Sequence, residues 1–383
     1  MPETIEVEVS QRLTPPDLRA LFDGEGPFIS AYLRVPNAVE GARQQYESGL
    51  VAIRRQLLAD GHGQQTVEAT IDALRRCGRP GAPTAVVIAD EGGVRLEGQL
   101  LHDVSRDVVV TAATPRVIPI IESYQRSLPY LAVTIDREGA DILSIDHGDL
   151  HIVEEVEGET DFVQKVKVGG WSQPNYQRHA ENTWEQNAKS VAEALGRLVE
   201  EQPTEFIAVA GEERAVGFLL EHLREAHRAM VRTVDGSRAV DGSSADLADR
   251  LTRLHATVVA ERMVQLLERY KQAVATRDGT SGAEKTLGAL SRGQVATLLV
   301  ADDITDEDPA RAFVGDDPMS VTTNVGDILA LDQTPRSGPQ QDLAIAAALA
   351  GDADVVVVPG VGAAAPAQGI GALLRYPLPP KGA

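Results

Sequence analysis

With 383 residues, 43% of them apolar and 24% charged, the chain can bury real cores, and its length sets an expectation of two or three domains. The 36 lysines and arginines against 57 aspartates and glutamates give a formal net charge of -21, which excludes sequence-blind nucleic-acid binding over the whole surface and confines any RNA contact to local basic patches. A single cysteine, Cys77, excludes an internal disulfide and any cysteine-based zinc site.

No apolar run approaches the roughly 20 residues needed to cross a bilayer. Residues 1–13 lack both the basic and the apolar stretch of a signal peptide, so the expected location is the cytoplasm, away from membranes.

Residues 1–127 read as an N-terminal α/β domain. Pro15 and Pro16 precede a short helix over 17–22. Residues 27–35 read as a strand, 42–59 as a helix with exposed Arg43, Arg54 and Arg55, and 65–76 as a second helix. Strands over 84–90 and 93–100 meet at the turn Glu91-Gly92-Gly93. Arg75, Arg76 and Arg79 could reach phosphate, but cations also suit a helix C-terminus, and a solvated helix end is the simpler reading. No catalytic constellation stands out here.

Residues 128–243 form a second unit. Residues 130–136, 139–146 and 149–156 are short alternating segments joined by tight turns at Arg137-Glu138-Gly139 and His147-Gly148, the pattern of an antiparallel meander. A glycine-tipped polar loop follows, then a long helix whose Tyr176, Ala180, Trp184, Ala188, Val191, Leu195 and Leu198 recur in steps of three and four. That stripe predicts docking on a sheet, with the preceding loop projecting from a rigid base. A strand over 206–211, a helix over 212–227 and a strand over 230–235 complete a mixed sheet with helices on its faces.

The turn-rich run 235–246 marks a boundary. Residues 244–383 read as a third, α/β/α domain. Its elements are a linking helix over 247–275, a helix over 286–294, a strand over 296–303, a helix over 341–350, a strand over 353–360 and a closing segment over 369–378. The fold class is α/β throughout.

Gly360, Gly362 and Ala365 fit the dinucleotide fingerprint G-x-G-x-x-A after a strand, but only 18 residues follow Ala365 and none is acidic. A strand-end glycine turn is the better account, and no cofactor is expected. His147, Asp149 and His151 need only turn chemistry. His222 and His227 sit five apart, off a common helical face. The acidic run 302–308 lacks the glycine and terminal glutamate of a calcium loop. Neither a metal site nor a catalytic residue is assigned.

The loop before the long helix carries the most specific signal. Residues 162–180 contain no acid, yet hold Lys165, Lys167 and Arg178, in a chain that is otherwise strongly anionic. Gly169 and Gly170 permit close backbone approach, and Trp171 offers a surface on which an unpaired base can stack. The alternative on residues alone is a flexible hairpin tip whose tryptophan folds back onto the protein.

Three features, in order, give the chain a resemblance to the archaeo-eukaryotic peptide-chain release factor and Pelota superfamily, in particular its bacterial members that include the Balon-like ribosome hibernation factors. LAVTIDREGADILSIDHGDL looks like the opening of the superfamily's central, RNase H-like domain. VQKVKVGGWSQ and the helix after it stand where release factors carry a Gly-Gly-Gln loop. QGIGALLRYPL is similar to the closing strand of the third domain, which has the fold of kink-turn-binding ribosomal proteins, and ALSRGQVATLLVADD looks like its earlier helix and strand. The resemblance covers residues 128–383; the N-terminal domain matches by position alone.

The resemblance implies a three-domain, tRNA-shaped molecule in the ribosomal A site, one domain at the decoding centre of 16S rRNA and one at the peptidyl-transferase centre of 23S rRNA. The third domain would meet an elongation-factor GTPase such as EF-Tu. Neither DNA nor a membrane is an expected partner. Carried over residue by residue, the RNA-contacting positions are Lys165, Lys167, Gly169, Gly170, Trp171, Ser172, Gln173, Arg178 and His179. Two departures matter. Trp171 stands where hydrolytic release factors have the glutamine that positions water, with Gln173 two residues on, so a non-catalytic binder is expected ahead of a peptidyl-tRNA-hydrolysing release or rescue factor. The stop-codon-reading Asn-Ile-Lys-Ser motif is also missing from the N-terminal domain.

Overall fold

The computed structural model describes residues 5–6, 18–24, 26–36, 41–78, 83–104, 106–136, 138–146, 149–157, 173–236, 243–301, 310–362 and 364–377. Contacts gather the chain into two compact units, one built from residues 1–125 and 262–383 and the other from 126–261. The first and last of the three segments read from the sequence therefore share one unit.

The N-terminal part of the first unit is a five-stranded sheet with β1 (Ile5–Glu6), β2 (Phe28–Arg34), β3 (Thr84–Asp90), β4 (Gly93–Leu100) and β5 (Val108–Ala112) in the order β1-β4-β3-β2-β5. All pairings are antiparallel except β1 with β4. Both faces of its centre are buried. Ile29, Ala31, Leu33, Ala85, Val87 and Ala89 pack under helices α1 (Ala42–Ala59) and α2 (Gln64–Cys77). The alternate residues Phe28, Tyr32, Val86, Ile88 and Leu96 face the other way, as the two-residue period of a strand requires. They share a core with α3 (Ile118–Arg126) and with the C-terminal part of the unit.

The second unit is a mixed sheet of β6 (Tyr130–Ile135), β7 (Gly139–Asp146), β8 (Asp149–Glu157), β9 (Phe206–Gly211) and β10 (Val231–Thr233), in the order β10-β9-β6-β7-β8. The first three strands form the expected antiparallel meander, while β9 runs parallel to β6 and β10 parallel to β9. Numbered from β6, the order is 5-4-1-2-3, that of an RNase H-like sheet. Leu131, Val133, Ile135, Ile207 and Val209 turn to one face, under α4 (Gln173–Glu201) and α5 (Glu213–His222). Tyr130, Ala132, Phe206 and Ala208 turn to the other, under Leu251 and Val258 of a later helix. A short α6 (Glu225–Ala229) follows α5, because Leu223 and Arg224 adopt extended backbone (ψ 137° and 147°) where one helix was expected. Leu223 is buried by that break.

The later helix is α7 (Ser243–Thr276), 34 residues long, which runs from the second unit into the first. Its C-terminal half covers one face of a four-stranded sheet through Tyr270 and Leu267, packed on Leu299, Val358 and Leu373. That sheet contains β11 (Gly279–Ser281), β12 (Val295–Ala301), β16 (Asp354–Val358) and β17 (Ile370–Leu374) in the order β11-β17-β12-β16. Helices α8 (Ala283–Ser291) and α10 (Gln340–Ala350) cover its other face through Leu287, Leu290, Leu343 and Ala347. The three layers are the expected α/β/α arrangement. Between α8 and α10 lies an unexpected small sheet, β13 (Arg311–Val314), β14 (Val321–Thr322) and β15 (Arg336–Pro339), with α9 (Val325–Ala330) inserted after β14. After β16 the glycine segment turns at Gly362 (φ 116°) and enters antiparallel β17 through a short 3-10 turn at Ala367–Gly369, without a nucleotide-binding helix. Among the described residues no helix is long and apolar enough to cross a membrane.

Candidate functional site

The candidate RNA-contacting tip is set by two elements. Strand β8 is the edge of the central sheet and ends at Glu157; α4 begins at Gln173. Residues 158–172 connect them. Lys165, Lys167, Gly169, Gly170, Trp171 and Ser172 lie in that connection, outside the described residues. Gln173, Arg178 and His179 are placed by their backbone in the first two turns of α4.

The C-terminal part of the stripe read from the sequence docks on the sheet, while the side chains of Tyr176 and Ala180 lie outside the described residues. Ala188, Val191, Leu195 and Leu198 are all at most 5% exposed and pack into one core with Leu131, Val133, Ile142 and Ile207; Trp184 is half-buried. Burying several such side chains, at about 1.5–3 kcal/mol each, anchors the helix over its C-terminal half. Polar links fix its azimuth. Arg197 Nη2 donates to Glu154 of β8 at 2.5 Å, Ser144 Oγ of β7 donates to Gln202 just beyond α4 at 3.1 Å, and His222 Nε2 of α5 lies 3.4 Å from Glu185. The ion pairs are partly exposed, so their contribution is small and chiefly directional.

At 29 residues α4 is about 43 Å long. Its first turn has no acidic residue. The positive end of the helix dipole therefore has no local counter-charge in the first turn of α4. Such an arrangement accommodates phosphate oxygens. Opposite in character is the N-terminal arginine cluster. Arg75 donates to Glu47 (3.3 Å) and Asp72 (2.9 Å), and Arg76 to Glu97 (3.1 Å), so these guanidinium groups are held by carboxylates; Arg79 lies outside the described residues. The helix-end reading of Arg75 and Arg76 is the one the structure bears out.

The opposite face of the central sheet carries a stack of rings. Tyr130 and Phe206 lie parallel with centroids 4.6 Å apart, and His255 of α7 tilts against Tyr130 at 5.6 Å. Burial lowers the His255 pKa below its ordinary value, partly offset by a backbone hydrogen bond with Leu128. This is packing, and it pins α7 to the sheet.

Comparison with known proteins follows the same segment. Residues 129–276 match the model of "Bacterial archaeo-eukaryotic release factor family 2". Over almost its full length the chain is similar to a Mycobacterium tuberculosis (strain H37Rv) protein, "Uncharacterized protein Rv2629", with 26% identity over 375 residues, 94% of this chain and 96% of that one. Among solved structures it is similar to an archaeal translation termination factor, aRF1 (16% identity, 96% of this chain and 100% of that one, TM-score 0.27). It is also similar to a "Model of ribosome-bound archaeal Pelota and ABCE1" (14% identity, 96% of each chain, TM-score 0.41).

Proposed function

We propose that this protein, a bacterial member of the archaeo-eukaryotic release factor and Pelota superfamily by its central domain, is a ribosome-binding translation factor that occupies the A site of idle ribosomes without catalysing a reaction. One observation carries this reading: the family's central domain presents, before a firmly docked helix, a connection whose charge is opposite to that of the chain as a whole. In this reading Lys165, Lys167 and Arg178 neutralise rRNA phosphates, and Gly169 and Gly170 let the backbone approach. Trp171 stacks on a base near the peptidyl-transferase centre, with Ser172, Gln173 and His179 adding polar contacts. The C-terminal part is then the side offered to a translational GTPase of the EF-Tu kind.

We infer catalytic silence from the residue type at one position. Hydrolysis of peptidyl-tRNA needs a group that orients water against the ester to within a fraction of an ångström. The residue after the glycine pair is an indole, which has no acceptor for a water proton. A hydrolytic release or rescue factor is the competing reading, and the position of Gln173 as the first residue of α4 favours it.

The deciding experiment has two readouts on purified ribosomes. Co-sedimentation of the full chain with vacant 70S ribosomes is expected, and release of labelled peptide from a stalled complex is not. Release abolished by Gln173→Ala would establish the hydrolytic reading, and absence of co-sedimentation would remove both.

A further inference from the structure

Helix α9 keeps an apolar face in solvent. Ten large apolar side chains are exposed among the described residues, and three of them, Val325 (37%), Leu329 (58%) and Leu331 (59%), fall within residues 325–331, so they make a patch rather than a scatter. Val325 and Leu329 stand four apart on one helical face, and Leu331 follows in the turn that ends the helix. Ile328, 2% exposed, seats α9 on β13 and β14, so the helix is docked and the patch is what its docking leaves over.

The patch is held at both ends. Asn324 Oδ1 accepts from the Gly326 N–H at 3.0 Å, and Thr322 Oγ1 donates to Asp327 at 2.7 Å. After the helix, the Asp332 N–H donates to the Leu329 carbonyl at 3.0 Å, and Gln333 Oε1 accepts from the Asp316 N–H at 3.2 Å. That last bond ties the turn after α9 to Asp316, beyond the end of β13. A surface fixed in this way loses little freedom when a partner covers it.

The charge beside the patch is negative. Residues 312–335 hold Asp316, Asp317, Asp327 and Asp332 and no lysine or arginine. All four are exposed. Asp317 accepts from the Met319 N–H and Asp327 from Thr322 and Asn324, all neutral donors. At the margins of the small sheet, Arg336 donates to the Gly315 carbonyl and Arg292 to Gln294, both at 3.0 Å. Carboxylates beside an apolar patch repel nucleic-acid phosphates and anionic lipid headgroups, and two copies meeting through it would set like charges together. A cationic amphipathic segment satisfies both features, with its apolar stripe on the leucines and its cations against the aspartates.

We propose that α9 and the turn after it form a docking surface for a cationic amphipathic helix of a partner protein. Covering residues 325–331 takes about two turns of such a helix, roughly 11 Å. The surface is built by the small sheet and its helix alone, and the inference does not rest on the ribosomal reading.

The test is fluorescence anisotropy with the full chain and a labelled helical peptide of about 14 residues, with leucine at every third or fourth position and lysine elsewhere. Saturable binding is expected, weakening as salt rises. A peptide of the same composition reordered to break the stripe, and one with glutamate for lysine, are each expected to bind at least about tenfold more weakly. Leu329→Ser with Leu331→Ser is expected to cost at least about tenfold in affinity, with an unchanged thermal melt because both side chains are exposed. Should that variant melt early, Asp316→Asn with Asp332→Asn decides: it leaves the patch whole, suits the left-handed backbone of Asp332 (φ 57°), and is expected to flatten the salt dependence. The proposal is overturned if the striped peptide does not bind saturably or binds no better than the reordered one. It is equally overturned if the leucine variant binds unchanged or the asparagine variant keeps the full salt dependence. A dimer in sedimentation that the leucine variant dissolves, or flotation with anionic lipid vesicles that the leucine variant loses, would assign the patch to another occupant and overturn it too.

Discussion

The Gln125 side chain completes the backbone of Val357: its Nε2 donates to the Val357 carbonyl at 2.6 Å, and its Oε1 accepts from the Val357 N–H at 2.9 Å. Val357 lies in β16, at the edge of the four-stranded sheet, and is 2% exposed. A side chain from α3 thus supplies what a neighbouring strand supplies elsewhere. Gln125→Ala strands two buried backbone groups at about 1–3 kcal/mol each. The urea midpoint of this unit is expected to fall accordingly, and an unchanged midpoint would show that water replaces the amide at no cost.

Asp342, in the first turn of α10, is 2% exposed, and one of its carboxylate oxygens has no hydrogen-bond partner. Burial pushes its pKa up to about 7 against the opposing pull of Arg116. A carboxyl whose folded value lies above its unfolded value of 3.8 favours folding while it is protonated, and that contribution is lost as pH rises through about 7. The thermal midpoint is therefore expected to carry a falling component between about pH 4 and pH 8. Asp342→Asn should flatten it, as calorimetry across that range can measure.

His255 has the opposite sign. Its pKa is lowered by burial against Tyr130 and Phe206, so the unfolded chain binds its proton more readily. Stability of the central unit is expected to fall as pH drops through the unfolded value of about 6.5. His255→Phe keeps a ring in the stack and should remove that loss, read by the far-ultraviolet melt at pH 7 and pH 5.

Gly211 ends β9 with φ 152°, and a Cβ there would sit 2.0 Å from the carbonyl oxygen of Ile135. Since Gly211 pairs with Ile135 in register, the two strands would have to part. Gly211→Ala is expected to destabilise the central unit by about 1–3 kcal/mol, measurable by chemical denaturation.

For the tip, each lost phosphate contact lowers the slope of log affinity against log salt by roughly 0.7–0.9. Lys165→Ala with Lys167→Ala should therefore lower it by roughly 1.4–1.8 in ribosome co-sedimentation at several salt concentrations. An unchanged slope would take these lysines out of the interface.

Much of the fold was legible because its elements are long enough to show a period. The meander announced itself by alternation and turns, and the stripe from Ala188 to Leu198 is the face that α4 buries. What escaped had no period to show. Strand β5 is an unpunctuated run of valines, α3 is a short helix between irregular segments, and the small sheet is made of strands of two to four residues. The break at Leu223 serves burial, which helical spacing does not report. At the candidate tip, composition spoke clearly, through an acid-free basic run in an acidic chain.

The apolar face of the N-terminal sheet, formed by Phe28, Tyr32, Val86, Ile88 and Leu96, shares its core with α3 and with residues that begin at Ala283. During synthesis that core is complete only once the whole central unit and most of the C-terminal part have left the ribosome. The central unit, contiguous from 126 to 261, is free to finish first. A nascent chain halted before Ala283 is therefore expected to carry a native middle and an N-terminal core still short of its C-terminal residues.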